Sequence, residues 1–272
     1  MTLIQENSPR QLLDFYLDAG ADALVGEEAV DRFAEVDAPA VAAREPTRPA
    51  VAPHAPQVIR QSSALTPAPP APDEAALAAR QAAKSAATLD ELRDLLEKFD
   101  GCALKATASR LVFADGNPAA RVMLVGEAPG RDEDIEGLPF VGRAGKLLDL
   151  MLAAIGLDRS QVYIANIVPW RPPGNRTPTP QESAICLPFI KRQIELADPD
   201  FLICLGKPSM QTLLGIQEPI SKARGRWTMF DTGKREIKAM ATFHPAFLLR
   251  SPLQKRLAWR DLLALKKALA AP

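Results

Sequence analysis

Cysteine and histidine are both scarce in this chain. The three cysteines, Cys102, Cys186 and Cys204, are too few and odd in number for a disulfide framework. Taken alone they read as small buried hydrophobes in a reducing compartment. Only two histidines occur, His54 and His244. No run of about 18 apolar residues is present, so no membrane-spanning helix is expected. The stretch from Met1 to Arg10 lacks the basic-then-apolar profile of a secretion signal, and the expected location is cytoplasmic. Net charge is zero, but it is unevenly spread. Residues 1–85 carry 7 Lys/Arg against 12 Asp/Glu, and the rest carry 26 against 21. A mildly basic body behind an acidic leading segment suits an anionic partner.

What is present divides the chain in three. Residues 1–35 hold a short helical pattern around Leu12, Leu13, Phe15, Tyr16 and Leu17. Residues 36–85 are assigned to a disordered Pro/Ala-rich linker, with nine prolines between Val36 and Pro72. A helical pattern already returns from Asp73 to Phe99, where Leu89, Leu92, Leu95 and Leu96 recur at helical spacing. Residues 86–272 form the expected folded domain. The leading helix on its tether suits a docking peptide for another protein, with mere disorder as the alternative.

From Arg121 onward, apolar runs at Val122–Val125, Val162–Val168, Phe201–Leu205 and Ile237–Phe243 alternate with helical stretches. Those stretches are Gly145–Ile155, Pro180–Ala197, Pro208–Leu214 and Leu253–Leu269. The alternation predicts an α/β fold, a three-layer α/β/α arrangement around a central four-stranded parallel sheet. Ligands in such sheets bind beyond the carboxyl ends of the strands. The polar clusters fall there: Gly126–Gly130, Asn166 to Arg176, Gly206–Ser209 and His244-Pro245.

Glycines in Gly126-Glu127-Ala128-Pro129-Gly130 and in Gly137–Gly145 permit close backbone approach by a ligand. Together with Asn166, Arg171-Pro172-Pro173-Gly174-Asn175-Arg176 and His244–Arg250, these motifs resemble the iron–sulfur uracil-DNA glycosylases called family four. The resemblance covers roughly Leu92 to Lys266.

The resemblance implies a repair enzyme that flips uracil out of DNA and hydrolyses its N-glycosidic bond, leaving an abasic site. Uracil would be bound by Gly126, Phe140, Asn166 and His244. Phe140 would stack on the base, Asn166 would read its edge, and His244 would donate to O2 as charge develops there. Glu127 is the first candidate for the carboxylate that steadies the cationic sugar or orients water; Glu133 is the second and Asp134 the third. Leu248 and Leu249 would wedge into the duplex, with Arg250, Lys255 and Arg256 on phosphates and Asn175 at the rim. Plainer alternatives exist: Phe140 as core, Asn166 as a backbone cap, the two leucines as the start of a buried helix.

The family holds a [4Fe–4S] cluster on four cysteines. Laid on this chain, those positions are Phe99, Cys102, Trp170 and Cys186, so two ligands are replaced by rings. The expectation is therefore no metal and no cofactor, with the rings filling the space. Uracil-containing DNA is the expected partner and a monomer the expected state. A relative that binds damaged DNA without catalysis, or acts on other deaminated bases, is the alternative function.

Overall fold

The computed structural model describes residues 72–270. The leading helical pattern and most of the proline-rich stretch lie outside the described residues.

The sheet has six strands in the order β1-β3-β2-β4-β6-β5. They are β1 (Asp115–Gly116), β2 (Val122–Gly126), β3 (Val162–Asn166), β4 (Phe201–Leu205), β5 (Trp227–Asp231) and β6 (Glu236–Thr242). The four central strands are parallel, as expected. The sequence reading missed two antiparallel edges, β1 on β3 and β5 on β6. Two residues are too few to show a period. In β5 only Phe230 is fully buried, so that strand carries little of the apolar signal that marks the central four.

The sheet is covered on both faces. Every residue of β2, β3 and β4 is buried, and alternate residues serve opposite cores. Met123, Val125, Tyr163, Ala165, Leu202 and Cys204 face one core. Val122, Leu124, Val162, Ile164, Ile203 and Leu205 face the other. The first core is closed by α1 (Pro72–Ser85), α2 (Leu89–Lys98), α5 (Pro180–Ala197) and α6 (Lys207–Leu214). The second is closed by α4 (Arg143–Ala153), α8 (Pro245–Arg250) and α9 (Lys255–Leu269). Two short helices complete the set, α3 (Arg131–Glu136) and α7 (Ile220–Ala223).

Helix α1 corrects the domain boundary. The linker bounds run to residue 85 although a helical pattern returns at Asp73; the structure follows the pattern, with Ala75, Ala79 and Ala83 buried where α1 packs along α5. Alanine suits both a flexible linker and a close helix contact, and composition alone does not separate the two. Four-residue spacing puts the three methyl groups on one stripe. Ala79 is fully buried, so Ala79→Asp should lower the unfolding free energy by on the order of 3 kcal/mol, read by chemical denaturation.

Chain order places the site. From β2 the chain runs outward to β3, then returns across to β4 on the other side of β2. Loops leaving β2 and β4 diverge, and a crevice opens at the carboxyl edge between them.

Candidate active site

That crevice is a cleft of about 580 Å³. Its wall is contributed by all four parallel strands: Glu127 to Gly130 after β2, Asn166 at the end of β3, Gly206 to Pro208 after β4, and Phe243-His244 after β6. Phe140, Asn175 to Pro178, Phe247 and Arg250 complete it. The structure thus brings Glu127, Glu133, Phe140, Asn166, Asn175, His244 and Arg250 to one cavity.

Asn166 is 5% exposed, and its Oδ1 is buried without a hydrogen-bond partner in the protein. A buried amide oxygen left unpaired costs free energy unless a ligand supplies the donor. The carboxylate Oε1 of Glu127 is in the same condition. Burial raises the Glu127 pKa above its ordinary value, partly offset by a hydrogen bond from Thr177. Gly126 makes room for Asn166 and Phe140. A Cβ there would lie 2.3 Å from Asn166 Oδ1 and 2.7 Å from the Phe140 ring.

Phe140 is buried with φ of 55°, a left-handed conformation that a phenylalanine seldom adopts. Two features hold it there. A Cβ at Gly145 would sit 1.6 Å from the Phe140 carbonyl oxygen, so the turn closes only over glycine. Arg159 donates to that carbonyl and, at 3.1 Å, to the carbonyl of Pro139. Asp115 and Asp149 fix the guanidinium in turn, at 2.5 and 2.8 Å. Sequence reasoning missed Arg159, which lies 19 residues from the ring it supports and belongs to no motif.

The imidazole of His244 stands 5.5 Å from the Phe140 ring, centroid to centroid. Its Nδ1 accepts from the backbone N–H of Ala246 at 3.1 Å. The proton of the neutral ring is therefore on Nε2, the atom left free to donate. Burial, with repulsion from Arg250, pushes the His244 pKa down to about 4.

The other carboxylates have different work. Glu133 lines the cleft, but Oε2 accepts from the N–H of Gly130 at 3.0 Å, and Oε1 accepts from Val141 at 3.1 Å and Gly142 at 3.0 Å. Asp134 is buried away from the cleft, where it accepts from the N–H groups of Ser109 and Arg110 at 2.8 and 3.3 Å. Asn175, with φ of 55°, accepts from Arg171 Nε at 2.7 Å on the exposed rim.

Leu248 departs from its expected place. It is 1% exposed and part of the second core, whereas Leu249 is 37% exposed. One turn on, Leu253 is 85% exposed at the corner formed with Arg250, Lys255 and Arg256. On α8, adjacent leucines point some 100° apart, so one of the pair must turn inward.

Set beside known sequences, residues 113–263 match the family model described as the Uracil DNA glycosylase superfamily. This chain belongs to that superfamily. The Type-4 uracil-DNA glycosylase of Archaeoglobus fulgidus is 40% identical over 169 residues, 61% of this chain and 85% of that protein. Its counterpart from Thermotoga maritima is 41% identical over 169 residues, 60% and 86% of the two chains. The one from Saccharolobus solfataricus is 39% identical over 188 residues, 67% and 87%.

In this superfamily member the four positions implied for a [4Fe–4S] cluster do not supply a four-thiolate donor set. Cys102 and Cys186 are buried with sulfurs 4.0 Å apart. Trp170 is 2% exposed, and Phe99 packs edge-on against Phe189 at 5.0 Å. Neither ring offers an atom that ligates iron. No cluster of three or more His, Cys, Asp or Glu side chains suited to a metal occurs among the described residues.

Proposed function

We propose that this protein flips uracil out of DNA and hydrolyses its N-glycosidic bond, leaving an abasic site, without an iron–sulfur cluster. The observation that carries the reading is the buried, unpaired amide oxygen of Asn166, in a cleft that Phe140 and His244 also line. Uracil offers a donor at N3 and an acceptor at O4, which Asn166 matches with Oδ1 and Nδ2. Cytosine offers the reverse pattern, and its binding would leave buried polar atoms opposed.

Chemistry follows from the same geometry. As the glycosidic bond breaks, negative charge moves onto the base and positive charge onto the sugar. His244 Nε2–H donates to O2 from a fixed position, so no reorganisation is needed when the charge appears. Glu127 supplies negative charge to the sugar side, or orients the attacking water. Glu133 serves as a positioning residue, because its three backbone bonds fix the turns that carry Gly130 and Phe140. Leu249, with Arg250, Lys255 and Arg256 beside it, would meet the duplex.

Incubation with a uracil-containing oligonucleotide in EDTA should release free uracil, since every group invoked belongs to the protein. A requirement for added divalent ion would overturn the mechanism, and binding without release would reduce the protein to a damage-recognition module. Protonation of Glu127 should switch off turnover on the acid side, at a pH above the ordinary carboxylate range. In Glu127→Gln the rate should fall and that acid limb should vanish, which a pH profile of single-turnover rates would read.

A further inference from the structure

We propose that Cys102 and Cys186 form an oxidisable dithiol, a covalent modification site at which a hydroperoxide converts the two thiols into a reversible disulfide. The proposal is independent of the excision reading. The residues are 84 apart in sequence, and the fold sets their sulfurs 4.0 Å from each other. Cys102 lies in the extended link between α2 and the 3-10 turn Ala103–Ala106, and Cys186 lies on α5. A disulfide needs its sulfurs about 2.05 Å apart, so closure asks for roughly 2 Å of approach, within the sweep of a cysteine χ1 rotation. Cys102 sits on a non-helical segment, where the backbone can follow.

The pair is chemically asymmetric. The thiol of Cys186 donates to the Cys102 sulfur, and Cys186 is held within a helix whereas Cys102 lies in an extended link. Cys102, which accepts that hydrogen bond and can move toward its partner, is assigned as the attacking sulfur and Cys186 as the resolving thiol. With hydrogen peroxide, the Cys102 thiolate takes one oxygen, breaking the O–O bond and releasing hydroxide, and becomes a sulfenic acid. The sulfur of Cys186 then displaces water from that sulfenic acid and loses its proton, forming the S–S bond. Altogether two thiols and one peroxide give one disulfide and two waters. A dithiol reductant reverses the change, regenerating both thiols and becoming a disulfide itself.

Burial selects the oxidant. Cys102 is 2% and Cys186 0% exposed, so a molecule as small as peroxide suits the site and a bulky disulfide does not. Cys204 is an internal control. It is fully buried on β4, is pushed up to about 12 by burial, and has Ser209 rather than a thiol as its side-chain partner.

The full chain should be treated with hydrogen peroxide, quenched with catalase, denatured, alkylated with iodoacetamide, and mapped by peptide mass spectrometry. The expected product is a linked peptide pair joining Cys102 to Cys186, two hydrogen masses lighter than its separate parts. Cys204 should be alkylated throughout, and dithiothreitol should restore alkylation at the other two. In Cys186→Ser, where no resolving thiol remains, Cys102 should accumulate as a sulfenic acid trapped by dimedone; Cys204→Ser should behave as the parent. Alkylation of all three thiols after peroxide, or Cys102 carried to sulfinic acid with Cys186 still free, would overturn the proposal. So would equal dimedone trapping in the parent and in Cys186→Ser.

Discussion

His244→Ala is expected to slow single-turnover uracil release about 10²–10³-fold while leaving DNA binding nearly unchanged. The size follows from removing one fixed donor aimed at developing charge. The preserved binding follows because, in the proposed mechanism, the imidazole makes its decisive contact only as the bond breaks. Loss in the chemical step with saturating enzyme, and not merely in turnover, is the measurement that checks it. Cleavage at the parent rate would demote His244 to a structural cap for Ala246. The ring also carries a pH signature. Its folded pKa, about 4, is depressed below the ordinary 6.5, so between these values the unfolded chain binds the extra proton. Its contribution to stability is thus complete above pH 6.5 and is lost as pH falls toward 4. His244→Ala should flatten that part of the stability profile.

Asn166→Asp should all but abolish uracil excision, with a loss of at least about 10²-fold, because an ionised carboxylate presents an acceptor where uracil O4 requires a donor. The new charge would also enter the cleft that the buried Glu127 carboxylate lines, raising the tendency of one of them to hold a proton. In its protonated form the new side chain could offer the donor–acceptor pattern that cytosine needs. Weak cytosine release, strengthening as pH falls, is therefore the expected companion result. Parallel assays on uracil and cytosine oligonucleotides would read both. Full uracil activity in this variant would remove Asn166 from the recognition scheme.

Much of this site could be read in the sequence because its parts are short and local. Each lies at or just past the carboxyl end of a parallel strand, and each is an unusual residue there: Glu127, Asn166, His244. The groups that hold those residues in place were harder to see. Arg159 supports Phe140 across the fold, and only the structure shows the two carbonyls that its guanidinium meets. Thr177, which hydrogen-bonds Glu127, belongs to no motif that would single it out. The inward turn of Leu248 depends on which face of α8 meets the core, and a pair of adjacent leucines does not state that. At the other end, Ala75, Ala79 and Ala83 carried a helix-packing stripe inside a composition that suits a flexible tether. In each case the missing information was a long-range contact, and local pattern does not encode it.

The Glu133 carboxylate has a consequence for how the molecule breathes. It accepts from Gly130, the residue capping α3, and from Gly142, the residue capping α4. One side chain therefore satisfies the first turns of two helices, and the ring of Phe140 lies on the segment strung between them. Neither helix start can fray without loosening the other. Amide hydrogens at Gly130, Val141 and Gly142 should therefore exchange together, which native-state hydrogen exchange would read. The Phe140 wall of the cleft is accordingly tied, through one carboxylate, to the starts of both helices.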